Sequence, residues 1–196
     1  MSIVIINTGC SNLFSLYSSI KRLGYNVNVT DSICDIKKAK KIFLPGVGTA
    51  AYILYILKKK KIFSLIKYTN QPILGICLGM QLLGKYSYEG GKYSLLNKLS
   101  CSIKKLPSKD YSIPHIGWNT VCYKNSHILF KNIDNNSYFY FLHSYYMVEN
   151  KYSISSSTHS IKFCSSIAIN NFFGVQFHPE KSGIPGEQLI KNFLEI

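Results

Sequence analysis

Ile73-Leu74-Gly75-Ile76-Cys77-Leu78-Gly79-Met80-Gln81 sets a thiol between two glycines at the end of an apolar run. A Gly-x-nucleophile-x-Gly pattern lets a buried strand turn sharply into a helix, and it holds the nucleophile up at the edge of a sheet. Glycines weaken strands and helices alike and bring no packing gain, so a special backbone geometry is the economical reason for them. The first N–H groups and positive dipole end of the following helix would favour thiolate over thiol. The Leu78 N–H would point to where an oxyanion forms. A second motif, Phe172-Phe173-Gly174-Val175-Gln176-Phe177-His178-Pro179-Glu180, places an imidazole and a carboxylate two positions apart after another apolar strand. Pro179 fixes its own backbone and biases His178 toward an extended conformation. Residues two apart on an extended chain project to one side, so Glu180 is expected to reach and orient the far ring nitrogen of His178. Cys77, His178 and Glu180 form the expected triad, against the alternative of an inert core cysteine, a strand-capping histidine and a solvated glutamate.

Working outward, residues 2–7 read as a buried strand and residues 12–23 as a helix with apolar positions at Leu13, Leu16, Tyr17, Ile20 and Leu23, closed by Gly24. A short strand over 26–30, a linker turn and a strand over 41–44 follow. Pro45-Gly46-Val47-Gly48 is expected to break that strand before a helix through Tyr52, Ile53, Ile56 and Leu57. The elbow strand covers 73–77, and its helix is expected to run to about residue 85. From about 102 to 175 the pattern becomes strands separated by polar turns, and a helix over 186–194 closes the chain. The expected fold is α/β: a doubly wound, mostly parallel central sheet flanked by helices, with a smaller antiparallel β region, all in one domain over residues 1–196. Ligands bind beyond the carboxyl ends of strands in such folds. The backbone of Val47 and Gly48 would sit there beside Leu78 and complete an oxyanion hole. A phosphate-loop reading is weaker, because no Gly-x-x-x-x-Gly-Lys-Ser/Thr pattern occurs.

Composition narrows the classes. The 196 residues are 46% hydrophobic, enough for a sizeable core. No basic leader and no apolar stretch of bilayer length stands out, so a soluble, cytoplasmic chain with no membrane partner is expected. Six cysteines without close pairs do not make a disulfide framework, and no Cys/His spacing suits zinc, so reduced thiols and no metal are expected. A net charge of +14 raises nucleic-acid binding. Of 23 basic residues, however, only Arg22 is an arginine, and the one dense run, residues 58–61, resembles a solvated helix end. Lys, Asn, Ile, Tyr, Phe and Ser share A/T-rich codons, so the charge is read as mutational bias and no nucleic-acid partner is expected.

The two motifs together resemble the class I glutamine amidotransferases. Thr8-Gly9-Cys10-Ser11-Asn12-Leu13, Leu44-Pro45-Gly46-Val47-Gly48-Thr49-Ala50, Pro114-His115-Ile116-Gly117-Trp118-Asn119, Phe139-Tyr140-Phe141-Leu142-His143-Ser144-Tyr145 and Pro179-Glu180-Lys181-Ser182-Gly183 narrow the resemblance to the family of glutaminase subunits of imidazole glycerol phosphate synthase. That resemblance implies hydrolysis of L-glutamine by Cys77, His178 and Glu180, with Val47, Gly48 and Leu78 as the oxyanion hole. It also implies Gln81, Ser144 and Tyr145 as substrate contacts and no metal or organic cofactor. The implied partner is a (βα)₈-barrel cyclase subunit, held as a heterodimer, that takes the ammonia into histidine biosynthesis. Asn12, Trp118, Tyr140 and Lys181 match positions near that interface. A stand-alone cysteine hydrolase and a silent scaffold are the competing classes.

Overall fold

The structure, a computed structural model, describes residues 2–9, 13–108, 111–123 and 125–196. Its first half alternates strand and helix: β1 (Ile3–Ile6), α1 (Leu13–Arg22), β2 (Val27–Thr30), α2 (Ile33–Lys38), β3 (Lys41–Gly46), α3 (Ala50–Lys59), α4 (Ile62–Tyr68), β4 (Ile73–Cys77) and α5 (Leu78–Gln81). The second half is mostly strand: β5 (Tyr86–Ser87), β6 (Tyr93–Ser94), β7 (Ser102–Lys105), β8 (His115–Thr120), β9 (Cys122–Tyr123), β10 (Tyr138–His143), β11 (Tyr145–Met147), β12 (Ser153–His159), β13 (Ile161–Ile169) and β14 (Phe172–Val175), before α6 (Gly183–Glu195).

The large sheet runs β2-β1-β3-β4-β14-β13-β11-β7-β5-β6. The five strands from β2 to β14 are parallel, and β14, β13, β11 and β7 then alternate in direction. β8 and β10 form a separate antiparallel ribbon. Strand alternation sorts the core into two layers. Val4, Ile6, Ile42, Leu44 and Ile73 pack with α2, α3 and α4 through Ile36, Ile53, Leu57, Ile62 and Ile66. Ile3, Ile5, Phe43, Leu74 and Ile76 face the other way, onto Leu16 and Ile20 of α1, Ile190 and Phe193 of α6, and Phe139 and Phe141 of the ribbon. Central strands buried on both faces read as unbroken apolar runs, which is why β1, β3 and β4 are visible in the sequence. No helix among the described residues is long and apolar enough to cross a membrane.

Three local expectations are corrected. Pro45 does not break β3, which continues through Gly46 and pairs Pro45 with Ile76 and Gly46 with Cys77 of β4. The Lys41 N–H faces Ser2 on the β1 side and the Ile42 N–H faces Pro72 on the β4 side, so alternation places the missing Pro45 donor on the β1 side. The β1 ladder has already ended there, at Ile5 opposite Phe43, and the proline costs no ladder bond. α5 stops at Gln81 rather than near 85, because the 96–99 segment captures the carbonyls that further helix would use: Leu96 N–H bonds Leu82 O, Lys98 and Leu99 N–H bond Leu83 O, and Asn97 N–H bonds Gly84 O. The linker turn after β2 is in fact α2, six residues long and capped by Ser32, whose hydroxyl accepts from the Asp35 N–H.

Candidate active site

β4 delivers Cys77 to the sheet edge in a conformation that ordinary residues avoid, φ 54° and ψ −111°. Alternation alone would send its side chain to the Ile73 face; the turn sends it to the face of Leu74 and Ile76. The two glycines make room for the strained turn rather than forming it. The left-handed half of the turn is Cys77 itself, and Gly75 and Gly79 permit close approach: a Cβ on Gly79 would lie 1.8 Å from the Leu44 carbonyl oxygen, and one on Gly75 would lie 2.6 Å from Gly79. Without this contact α5 could not seat against β3 and β4. A helix of four residues has little dipole to offer, so the environment of the sulfur is set by individual groups.

β14 is the parallel neighbour of β4, with Val175 opposite Ile76, which brings His178 alongside Cys77. The backbone of His178 is extended, at φ −103° and ψ 94°, as Pro179 implies. Glu180 reaches it by another route than an extended chain, because Pro179–Lys181 is a 3-10 turn that folds the carboxylate back. Glu180 Oε1 accepts from His178 Nδ1 at 2.8 Å, both side chains being buried. Ser182, which the sequence did not single out, fastens the turn: its hydroxyl donates to His178 O at 2.6 Å and accepts from Tyr140 N–H at 3.0 Å. Nε2 of His178 has no hydrogen-bond partner among the described residues. Burial opposes a charged imidazole, but the Cys77 sulfur and then Glu180 outweigh it and raise the His178 pKa to about 10. Around neutral pH His178 is therefore an imidazolium, held between Cys77 and Glu180.

Cys77 opens onto a cavity of about 240 Å³ whose lining includes Val47, Gly48, Leu78, Gln81, Ser144 and Tyr145. The structure thus gathers every expected oxyanion and substrate residue at one place. Gly48 has φ +87°, which explains a glycine at that point of the loop. Leu78 opens α5, so its N–H has no acceptor within the helix. Both N–H groups of the Gln81 amide are committed, one to Tyr145 O at 2.8 Å and one to Gln176 Oε1 at 2.9 Å. Glu89 is the acidic member among the described lining residues and was missed by the sequence reading. Its Oε2 accepts from the Ala50 N–H at 2.6 Å, tying the connection between β5 and β6 to the start of α3, just past Val47 and Gly48. No signal short of the folded chain joins residues 39 positions apart. Among the described residues, no group of three or more His, Cys, Asp or Glu side chains could hold a metal ion.

Trp118, Tyr140 and Lys181 also come together. Trp118 and Tyr140 are cross-strand partners in the ribbon, with rings 6.1 Å apart and edge to face, and Lys181 Nζ sits 5.6 Å from the Tyr140 ring centre. Asn12 lies outside the described residues.

The family described as glutamine amidotransferase class-I matches residues 4–196. The chain belongs to the class I glutamine amidotransferases. Relatives among these amidotransferases include the imidazole glycerol phosphate synthase subunit HisH of Buchnera aphidicola subsp. Acyrthosiphon pisum, 51% identical over 196 residues, and that of Blochmanniella pennsylvanica, 49% identical over 196 residues. Each alignment covers all of both chains. Solved amidotransferase-like structures share the fold at much lower identity. A putative GMP synthase protein from Thermoplasma acidophilum superposes with a TM-score of 0.75 at 18% identity, over 100% of this chain and 92% of that one.

Proposed function

We propose that the chain is the glutaminase subunit of an imidazole glycerol phosphate synthase. It hydrolyses L-glutamine to glutamate and ammonia and hands the ammonia to a (βα)₈-barrel cyclase subunit bound as a heterodimer partner in the cytoplasm. The observation that carries this reading is Cys77, strained and buried at the end of β4, opening onto the cavity with the His178 and Glu180 pair behind it. Full-length relatives named as HisH support the choice of synthase.

The chemistry follows from the geometry. The Cys77 thiolate attacks the side-chain amide carbon, and the charge that develops on oxygen is met by the Leu78 N–H and the backbone of Val47 and Gly48. His178, already protonated, gives its Nε2 proton to the departing nitrogen, and ammonia leaves a thioester. The neutral imidazole then takes a proton from water as the water attacks that thioester, which releases glutamate and restores the starting pair. Glu180 fixes the ring orientation and stabilises the imidazolium throughout. The Glu89 carboxylate complements the ammonium of an amino-acid substrate, and Ser144 and Tyr145 line the same cavity.

Free ammonia in water becomes ammonium and loses its nucleophilicity, so its transfer calls for a partner seated at the site. The outer face of the ribbon suits one: Ile116, Trp118, Tyr138 and Leu142 are exposed apolar residues on adjoining strands, and Leu142 also lines the cavity. A smaller cavity of about 40 Å³ shares Val47 and Leu142 with the first and continues to His178 and Lys181.

Glutamate release from glutamine by the purified chain, with and without the cognate cyclase and its ligand, tests the reading against a Cys77→Ser control. Partner-stimulated turnover that vanishes in the control is expected. Full activity without partner would point instead to an independent hydrolase, and inactivity in every combination to a silent scaffold.

A further inference from the structure

Gln176 is fully buried, precedes His178 by two residues, and has had no role so far. Its Nε2 lies 3.6 Å from the Cys77 sulfur, and its Oε1 accepts from Gln81 Nε2 at 2.9 Å. We propose that Gln176 belongs to the reacting centre, donating its side-chain N–H to the Cys77 thiolate, with the direction of its amide fixed by the Tyr145 carbonyl acting through Gln81. The inference rests on Cys77 being the nucleophile of the proposed glutaminase and names a group that holds it.

A glutamine amide can face either way, so what matters is which atom turns toward sulfur. The Tyr145 carbonyl oxygen can only accept. Gln81 must therefore present its NH₂ there, at 2.8 Å, and the same NH₂ meets Gln176, which must answer with its carbonyl oxygen. That leaves the NH₂ of Gln176 for the sulfur. The Tyr145 carbonyl is itself pinned from a second side by His143 Nδ1 at 2.8 Å, which must carry the proton. His143 Nε2 then accepts from His115 Nδ1 at 3.1 Å, and His115 Nε2 accepts from Asn119 Nδ2 at 3.3 Å. Every link has one consistent direction provided both imidazoles stay neutral. Burial, reinforced by the neighbouring histidines, keeps them so, with pKa values pushed down to about 3 for His143 and about 4 for His115. Gln81, His143 and His115 are thus positioning residues.

Two groups compete at the sulfur. The Leu142 carbonyl, 3.6 Å away, can pair only with a thiol proton, whereas the Gln176 N–H pairs well only with a thiolate. Removing the amide should therefore move the balance toward thiol. Among the described residues, the titratable groups around Cys77 are His178 with Glu180 behind it, and His143, Tyr145 and Glu89, which line the same cavity. All of them remain in the variants below, so a difference between profiles isolates the amide.

The test is the pH dependence of Cys77 alkylation by iodoacetamide, followed on the Cys77 peptide by mass spectrometry, in the full chain and in Gln176→Met, which keeps length and approximate volume. The midpoint is expected to rise by about one pH unit, so that Cys77 reacts about tenfold more slowly below it, a size in keeping with one hydrogen bond to a charged group. Gln81→Met frees the Gln176 amide to turn and should move the midpoint the same way, about threefold in rate. A folded Gln176→Met protein whose profile superimposes on the parent overturns the assignment. Should that variant not fold, an unchanged profile in Gln81→Met does so. Alkylation needs neither glutamine nor partner, so a shifted profile supports the role of Gln176 even in a chain that fails to hydrolyse glutamine.

Discussion

At the scale of single residues the decisive pair is His178 and Glu180. The folded chain raises the imidazole from its ordinary value near 6.5 to about 10, so it binds its proton more tightly than the unfolded chain does. That contribution to stability is fully present below pH 6.5 and fades as pH rises through about 10. Glu180→Gln removes the carboxylate share of the shift. Its denaturation midpoint should fall furthest below the parent's at pH 6, and the gap should close by pH 10 and above. A gap that ignores pH would contradict the assignment. The same substitution leaves the ring free to take the wrong tautomer and should slow glutamate release about 10²–10⁴-fold. The grouping of Cys77, His178 and Glu180, which we propose as the triad, was legible because each sits in a short motif whose glycines or proline declare a backbone constraint. Ser182, Glu89 and Gln176 were not, since a buried serine, a capping glutamate and a glutamine just past an apolar strand look alike in sequence whether or not the fold brings them to His178, to the cavity and to the sulfur.

At the scale of elements, the junction of β3, β4 and α5 positions Cys77, and it depends on an approach that only glycine permits. In Gly79→Ala the new methyl would meet the Leu44 backbone oxygen at 1.8 Å, and backbone cannot step aside as a flexible side chain can. Overpacking of this kind costs about 1–3 kcal/mol and occasionally more. Gly24→Ala, in open space but at φ +85°, should cost about 1 kcal/mol for backbone strain alone. Urea midpoints for the two variants check the order, and Gly79→Ala proving as mild as Gly24→Ala would mean that the close approach does not matter. The elements legible in sequence were those buried on two faces, β1, β3, β4 and the apolar run of β14, or striped on one, α1 and α3, together with the short strand β2 and the closing helix α6. α2 and α4, of six and seven residues, bury only one and two residues each and carry too little pattern to read, while β5 and β6 are two-residue pairings, β5 on β7 and β6 on β5, too short to show alternation. The length of α5 was unreadable for a related reason, since the groups that end it arrive from residues 96–99.

At the scale of the whole molecule, charge and apolar surface point in different directions, and the apolar surface is the better guide to the partner. The lysines behind the net charge of +14 are dispersed over many elements, several with their ammonium groups over rings: Lys98 lies 4.5 Å from the Phe172 ring centre and Lys92 4.7 Å from that of Tyr86. The β8 and β10 ribbon concentrates its features instead. Its inner face is closed by Phe139 and Phe141, and its outer face presents Ile116, Trp118 and Leu142 beside the cavity mouth. A tryptophan at the centre of such a patch is the side chain most apt to dominate an interface, where truncation costs about 2 kcal/mol or more. Trp118 is 57% exposed in the free chain, so Trp118→Ala removes little that the monomer needs. Titration calorimetry with the cyclase subunit should therefore show affinity falling about 30-fold or more in Trp118→Ala while the thermal midpoint of the chain alone stays within a degree or two. Lys181→Ala, which strips only a cation resting on Tyr140, should cost less. An unchanged affinity in Trp118→Ala would move the proposed docking surface off the ribbon, and with it any proposed passage of ammonia by Leu142.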